Sequence, residues 1–145
     1  MSVKVSVVIP TKDRAGLLRR ALRSVLAQDY ANLEVIVSDD GSQDDTPDIV
    51  RSFQITDERI QYTRNNICGG PCEARNGGAS LSTGDFLLFV DDDDEVGPDI
   101  VSVLLNHARH DRPFITSAHA VIKKDGNRIL RVPPASISVN DAYNR

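Results

Sequence analysis

The sequence of 145 residues has no long hydrophobic run. The N-terminal segment lacks the apolar stretch of a signal peptide, and no uninterrupted apolar run approaches the roughly 18 residues of a membrane helix. There is no basic excess either, with 21 acidic against 17 basic residues, which argues against a general nucleic-acid or membrane-surface binder. The length indicates about one domain, expected to be cytoplasmic and without a transmembrane segment.

Cysteine is scarce, and its placement does not indicate a metal site. Cys68 and Cys72 lie four residues apart around a Gly-Gly-Pro segment. A zinc site would need two more ligands, and His107, His110 and His119 fall far along the chain without finger-like spacing. The favoured interpretation is two small residues in a glycine-rich turn, while a disulfide between them remains geometrically possible.

Glycine-rich phosphate loops are also missing. No G-x-G-x-x-G follows the first apolar run, and no G-K-[ST] occurs anywhere. A dinucleotide-type cradle and a Walker loop are therefore excluded, so a phosphate group here would have to be held through a metal ion.

What the sequence does contain is an alternation of short apolar runs with amphipathic stretches, which is typical of βαβ units. We predict an α/β fold with a Rossmann-like, mostly parallel sheet flanked by helices, followed by a hairpin through Asp125-Gly126. A glycine pair, Gly77-Gly78, should mark a helix that approaches another element closely. The predicted strands are 3–9, 33–38, 60–63 and the central strand 85–90, and the predicted helices are 17–26, 44–53 (with Thr46 as a cap), 72–81 and 99–109.

The most informative feature is an apolar run, residues 86–90, that leads directly into four aspartates, residues 91–94. Such a run predicts a strand buried on both faces, and four carboxylates at its end must lie in a cleft because unpaired buried charge is costly. Residues two apart point the same way, so Asp91 and Asp93 can bind one hard cation, Mg²⁺ or Mn²⁺. The alternative is a solvated acidic turn in which one aspartate caps the helix that begins near Pro98.

Two further polar loops follow predicted strands, at residues 10–13 and 39–42. In a parallel sheet the carboxyl ends of the strands share one edge, so these loops and the aspartates should converge on one cleft.

Five motifs in order resemble the nucleotide-binding half of a family 2 glycosyltransferase of the GT-A fold. They are V-S-V-V-I-P-T-K-D-R, S-V-L-A-Q, E-V-I-V-S-D-D-G-S, G-G-P-C-E-A-R-N-G-G and T-G-D-F-L-L-F-V-D-D-D-D. The resemblance implies inverting transfer of a sugar from a nucleoside diphosphate-sugar, expected to be a UDP-sugar, to a hydroxyl of a saccharide or other acceptor. It assigns residues 1–131 to the N-terminal part of the GT-A domain, truncated before the acceptor half, and leaves 132–145 as an unpatterned tail.

The resemblance also implies roles for individual residues. Asp39 would accept a hydrogen bond from the base, and Arg75 would lie near the base and phosphates. Asp40 is interpreted as a turn residue. The remaining binding candidates are Pro10, Thr11 and Asp13 in the nucleoside loop, Asp92 at the ribose or sugar, and Asp91 and Asp93 at the metal.

Two departures from the family pattern affect these expectations. Lys12 stands where the family often has an aromatic residue, so stacking on the base is lost. No residue is assignable as general base, although Asp111, Asp125 and Asp141 are available.

The alternatives are a nucleotide-sugar-binding fragment without turnover and a nucleotidyltransferase; a response-receiver domain would instead have its acidic pair after the first strand. A homo-oligomer and a peripheral position on the inner face of the membrane remain open.

Overall fold

The computed structural model describes residues 3–107, 119–122 and 128–131. Their elements alternate as the sequence predicts, and their bounds differ from the predicted ones by a few residues. In chain order they are β1 Val5–Thr11, α1 Ala15–Leu26, β2 Leu33–Asp39, α2 Thr46–Gln54, β3 Ile60–Arg64, α3 Pro71–Leu81, β4 Phe86–Phe89, α4 Ile100–His107, β5 His119–Ile122 and β6 Arg128–Arg131.

The first four strands form one parallel sheet in the order β3-β2-β1-β4. Val5 lies opposite Leu33 on one side and Phe86 on the other, so the three strands start together. Their carboxyl ends therefore share one edge. The strand order reverses between β1 and β4, which is where open α/β sheets bind their ligands.

Helices cover both faces of this sheet. The chain moves outward from β1 through β2 to β3 and then returns to β4, so right-handed crossovers place α1 and α2 on one face and α3 on the other. α1 buries Leu18, Ala21, Leu22 and Val25. Every residue of β1 and β2 is buried as a result, and these two strands form the core.

The prediction that residues 85–90 form a central strand buried on both faces is wrong. β4 is the outer strand of the described parallel sheet and pairs only with β1. Leu87 and Phe89 remain 43% and 42% exposed.

β1 also runs past Pro10, where the sequence predicted its end. The amide of Val90 donates to the carbonyl of Val8. Residues two apart in a strand direct their backbone groups to the same side, so the nitrogen of Pro10 faces β4, as the backbone of Val8 does. The pairing of β1 with β4 has already ended at Val8, so the N–H that Pro10 lacks costs no hydrogen bond between the strands.

The cap of α2 differs from the prediction too. Thr46 is the first residue of the helix, and its amide is bonded by the carboxylate of Asp44 at 3.0 Å.

The chain divides into two compact units, Met1–Val101 and Ser102–Arg145. In the second unit the antiparallel pair β5 and β6 confirms the predicted hairpin, with Ile122 opposite Arg128. The turn of this hairpin, residue Arg109 and the tail lie outside the described residues. None of the described helices is long and apolar enough to cross a membrane.

Candidate functional site

A cleft of about 450 Å³ opens at the carboxyl edge of the sheet, between the loops that follow β1 and β4. The convergence of loops predicted from the sequence is therefore observed. The cleft is lined by Pro10, Thr11, Lys12, Arg14, Asp40, Cys68, Gly70, Pro71, Ala74, Arg75, Asp91, Asp92 and Asp93.

Three aspartates after β4 form one wall, and they differ in burial. Asp92 is 4% exposed; it accepts hydrogen bonds from Thr11 Oγ1 at 2.7 Å and from Arg14 Nη1 at 3.1 Å. Asp91 and Asp93 are half-exposed instead, with Asp91 bonded to Arg75 Nη2 at 2.5 Å and Asp93 to Arg14 Nη1 at 3.2 Å. The middle acid, Asp92, is thus held by hydrogen bonds within the fold, whereas Asp91 and Asp93 on either side of it stay half-exposed at the cleft.

The chemistry of this wall fits a hard divalent cation. Carboxylate oxygens are the ligands that Mg²⁺ and Mn²⁺ prefer, and Mg²⁺ is usually bound by one or two carboxylates together with substrate phosphates. No group of three His, Cys, Asp or Glu side chains suited to a metal ion occurs among the described residues. Asp91 and Asp93 therefore suit a shared site, completed by a ligand, better than an all-protein cage.

The two acids at the end of β2 lie on opposite sides of the strand. Asp39 is fully buried and does not line the cleft. It accepts hydrogen bonds from the amide of Ser42 at 2.8 Å and from the hydroxyl of Tyr62. Burial and the bond to Asp39 together raise the pKa of Tyr62. Asp39 therefore shapes the loop, and its assignment as the acid that faces the base stays a prediction.

Asp40, by contrast, lines the cleft. Its carboxylate accepts from Cys68 Sγ at 3.0 Å, Gly69 N at 2.9 Å, Asn65 Nδ2 at 3.1 Å and Gly70 N at 2.8 Å. Led by the bond from Cys68, these donors outweigh the effect of burial and hold the pKa of Asp40 well below its usual range. Asp40 does accept hydrogen bonds from backbone amides, as its interpretation as a turn residue predicts. These amides lie in the loop before α3 and not in the turn of Asp40 itself.

Lys12 lies beside this acid, and its Nζ donates to the carbonyl of Asp40 at 3.3 Å. Hydrogen bonding to Cys68, together with the charges of Asp40 and Asp13, raises the pKa of Lys12 against the opposing effect of desolvation. The side chain thus brings a permanent positive charge to the end of the cleft away from the aspartate wall.

Asp13 does not line the cleft. Its amide donates to Ser42 Oγ at 2.8 Å, and its carboxylate accepts from the amide of Gln43. It adopts a left-handed backbone with φ of 51° and ties the loop after β1 to the loop after β2. Asp13 therefore holds the loops together, and its role as a ligand stays a prediction.

Of the predicted site residues, the structure brings six together in the cleft: Pro10, Thr11, Arg75, Asp91, Asp92 and Asp93. Sequence reasoning missed Arg14 and gave Cys68 no role beyond a turn. Both cysteines are exposed free thiols, in agreement with the favoured interpretation. The only available signal for Arg14 was its place in the loop after β1, because the reach of a long side chain is not encoded in spacing.

Comparison with known proteins identifies the family. The model of the glycosyl transferase family 2 matches residues 6–140. A GalNAc(5)-diNAcBac-PP-undecaprenol beta-1,3-glucosyltransferase of Campylobacter jejuni is 40% identical over 125 residues, which are 86% of this chain and 40% of that protein. A validoxylamine A glucosyltransferase of Streptomyces hygroscopicus is 46% identical over 108 residues, or 72% of this chain and 25% of that protein. The chain thus spans less than half the length of these relatives.

Solved structures give the same result for the fold. TarS 1-349 of S. aureus in complex with UDP matches with a TM-score of 0.67 and 30% identity, over 71% of this chain and 31% of that one. The mannosyltransferase PcManGT of Pyrobaculum calidifontis, in complex with GDP-Man and Mn²⁺, matches with a TM-score of 0.68 and 27% identity, over 72% and 32%. These matches confirm the predicted GT-A architecture, and the chain belongs to glycosyl transferase family 2.

Proposed function

We propose that this chain forms the donor-binding part of a metal-dependent, inverting glycosyltransferase that takes a UDP-sugar. The observation that carries the proposal is the cleft itself. Where the strand order reverses, the cleft combines two half-exposed aspartates, two arginines and the buried acid Asp40. Family membership makes the nucleotidyltransferase alternative the weaker one.

The two ends of the cleft suit the two ends of a nucleoside diphosphate. Asp91 and Asp93 would hold Mg²⁺ or Mn²⁺, and Arg75 offers charge-assisted hydrogen bonds to the diphosphate. The cation, when bound, neutralises the charge that develops on the leaving nucleoside diphosphate. Thr11 and Arg14 keep the loop after β4 in place through Asp92, so the positions of the binding acids are set before the donor arrives.

The nucleoside would then lie toward Asp40 and Lys12. The four donors on Asp40 fill the lone-pair sites of a carboxylate, and one of them is the thiol of Cys68, an exposed side chain. A ring N–H of uracil would replace the thiol on Asp40. UDP as the donor nucleotide is supported by the TarS structure, whose complex contains UDP, and by a relative from Escherichia coli named for UDP-Glc.

For the acceptor we propose a hydroxyl of a saccharide carried on a lipid diphosphate. The support is the naming of two relatives, from Campylobacter jejuni and Escherichia coli, for undecaprenol-linked saccharides. The protein would then work at the inner face of the membrane as a peripheral component.

The test is calorimetric titration of UDP in manganese and in chelator. We expect UDP to bind well only with the cation, and Asp93→Asn to remove most of that dependence because it takes a negative carboxylate away from the cation site. Glu95→Gln is the matched control: Glu95 is an exposed acid of the same segment that pairs with Arg20 at 2.8 Å outside the cleft. Equal affinity for UDP in chelator and in manganese would contradict the proposal.

A further inference from the structure

Arg75 and Asp91 form an ion pair across the cleft. Arg75 is presented by α3 and Asp91 by the loop after β4; Nη2 and Oδ1 lie 2.5 Å apart. This is the one side-chain hydrogen bond that Arg75 makes among the described residues. Both side chains are partly exposed, at 35% and 49%, so the pair can open without unfolding either element.

The second arginine of the wall is held differently. Arg14 Nη1 contacts both Asp92 at 3.1 Å and Asp93 at 3.2 Å. Asp92 is buried and is also bonded by Thr11. If Asp93 turned toward another ligand, Arg14 would keep its contact with Asp92. Among the described residues, Arg75 has no side-chain hydrogen bond other than the one to Asp91.

A cation that binds Asp91 competes with Arg75, because both require the same carboxylate. An arginine displaced at the wall of the cleft needs another anion, and a diphosphate bound there offers one that accepts two parallel hydrogen bonds. We propose that Arg75 is an exchanging ligand: it neutralises Asp91 while the cleft is empty and transfers to the diphosphate when a divalent cation takes Asp91.

This exchange rests on the proposed function and adds a coupling to it. Cation binding frees the arginine for the nucleotide, and nucleotide binding draws the arginine away from the cation's ligand. By linkage each ligand must then raise the affinity for the other by the same factor. Part of that cooperativity would come from the protein itself, beyond direct contact between cation and diphosphate.

The first measurement is manganese affinity without nucleotide. Arg75→Gln should tighten it by about two- to fivefold, the range for removing the competition of a partly exposed ion pair. The same variant should weaken UDP binding in saturating manganese by about ten- to a hundredfold, because charge-assisted hydrogen bonds are lost. Arg20→Gln, which removes an arginine from the exposed pair with Glu95, should change neither affinity.

The second measurement is UDP affinity in chelator. Asp91→Asn and Asp93→Asn each remove one negative charge from the wall, but only Asp91→Asn releases Arg75. Asp91→Asn should therefore bind UDP about two- to fivefold more tightly than Asp93→Asn does. This difference should vanish when both changes are made in the Arg75→Gln background.

The results separate the exchange from the proposed function. Manganese-dependent UDP binding by the wild type, with unchanged or weaker metal-only affinity in Arg75→Gln, would overturn the exchange alone. Equal chelator affinities of Asp91→Asn and Asp93→Asn would do the same. Equal affinity of the wild type for UDP in manganese and in chelator would overturn the proposed function together with the exchange. Thermal unfolding of each variant verifies that it is folded.

Discussion

Adjacent residues at a strand end can have opposite tasks, as Asp39 and Asp40 do. Asp39 faces the interior and bonds Ser42 and Tyr62, whereas Asp40 lines the cleft. Side chains alternate along a strand, so neighbouring acids face opposite sides. The family resemblance assigns recognition of the base to Asp39, and this assignment stays a prediction beside the alternative that Asp40 takes the role.

Exchanging each acid for its amide should separate these tasks. In the wild type we expect UDP to bind more tightly than CDP, because cytosine lacks the ring N–H that a carboxylate accepts. Asp40→Asn should bring the two affinities close together, at a cost to UDP of about 1.5–3 kcal/mol. Asp39→Asn should lower stability while keeping the preference for UDP. Calorimetry with both nucleotides checks this, and a preference that survives Asp40→Asn would return the role to Asp39.

Glu34 is the buried acid at the opposite edge of the sheet. It is 4% exposed and accepts from Lys4 Nζ at 2.7 Å, Ser6 Oγ at 2.6 Å and the amide of Thr83 at 2.7 Å. Burial alone would favour its neutral form, but these bonds from Lys4, Ser6 and Thr83 prevail and lower its pKa to about 2. Glu34 thereby joins the starts of β1 and β2 to the turn that precedes β4.

The depressed pKa of Glu34 predicts a pH dependence of stability. An acid whose pKa is lowered in the folded state stabilises the protein fully at a pH above its unfolded-state pKa, here near 4.5. That stabilisation is lost as the pH falls toward the folded-state pKa of about 2. Glu34→Gln should lower the free energy of unfolding at pH 7 by about 1–3 kcal/mol. Its stability should also fall less steeply than that of the wild type between pH 5 and pH 2. Urea unfolding across this range measures both, and parallel pH profiles would contradict the prediction.

At the scale of the element, α3 shows why a helix with poor propensity forms here. Its two adjacent glycines, Gly77 and Gly78, weaken it intrinsically. A Cβ added to Gly78 would lie 2.4 Å from Cγ1 of Val8, a fully buried residue of β1. The helix thus lies directly against the sheet, as its glycine pair predicts, and this close approach brings Arg75 to the cleft.

The two glycines provide a matched pair of substitutions. An added Cβ at Gly77 would meet only Ser38 Oγ at 3.5 Å, an ordinary contact, so Gly77→Ala should raise the free energy of unfolding by up to about 1 kcal/mol. Gly78→Ala should lower it by about 1–3 kcal/mol, because Val8 cannot move within a packed core. Thermal or urea unfolding gives both signs. A Gly78→Ala variant as stable as Gly77→Ala would show that α3 can shift away from β1.

Periodicity predicted the existence and order of the elements well, because it reflects which side of each element is apolar. It failed for β4, since an apolar run records side-chain type and says nothing about how many neighbours a strand has. The aspartates of the cleft were predictable because unpaired carboxylates at a strand end are too costly to bury. Arg14 and Lys12 were not, because their contacts depend on long side chains that cross from one loop to the next.

Over the whole molecule, the two edges of the parallel sheet have separate tasks. The carboxyl edge gathers the cleft, where half-exposed acids are paired with two arginines. The amino edge carries the network around Glu34, in which every partner belongs to the fold. Because Asp91 and Asp93 are half-exposed and lie far from the network around Glu34 along the strands, we expect their substitution to alter binding while leaving the sheet intact.

This arrangement also limits the chemistry that the described residues can perform. Each carboxylate lining the cleft in the described part of the chain already has a partner: Asp40, Asp91, Asp92 and Asp93 are all hydrogen-bonded or ion-paired. A general base must be able to take the proton of the acceptor hydroxyl, and base catalysis typically contributes about 10²–10⁴-fold. The other candidates, Asp111, Asp125 and Asp141, lie outside the described residues.

We therefore expect purified 1–145 to bind UDP and manganese yet transfer sugar slowly. Its release of UDP from UDP-glucose should be little faster with a saccharide acceptor than without one, since each described carboxylate that lines the cleft already has a partner. A coupled assay of UDP release over a panel of acceptors measures this, and stabilisation against heat by UDP with manganese verifies that the donor site is intact. Rapid acceptor-dependent turnover that disappears on mutation of Asp111, Asp125 or Asp141 would identify the base within this chain and contradict the prediction.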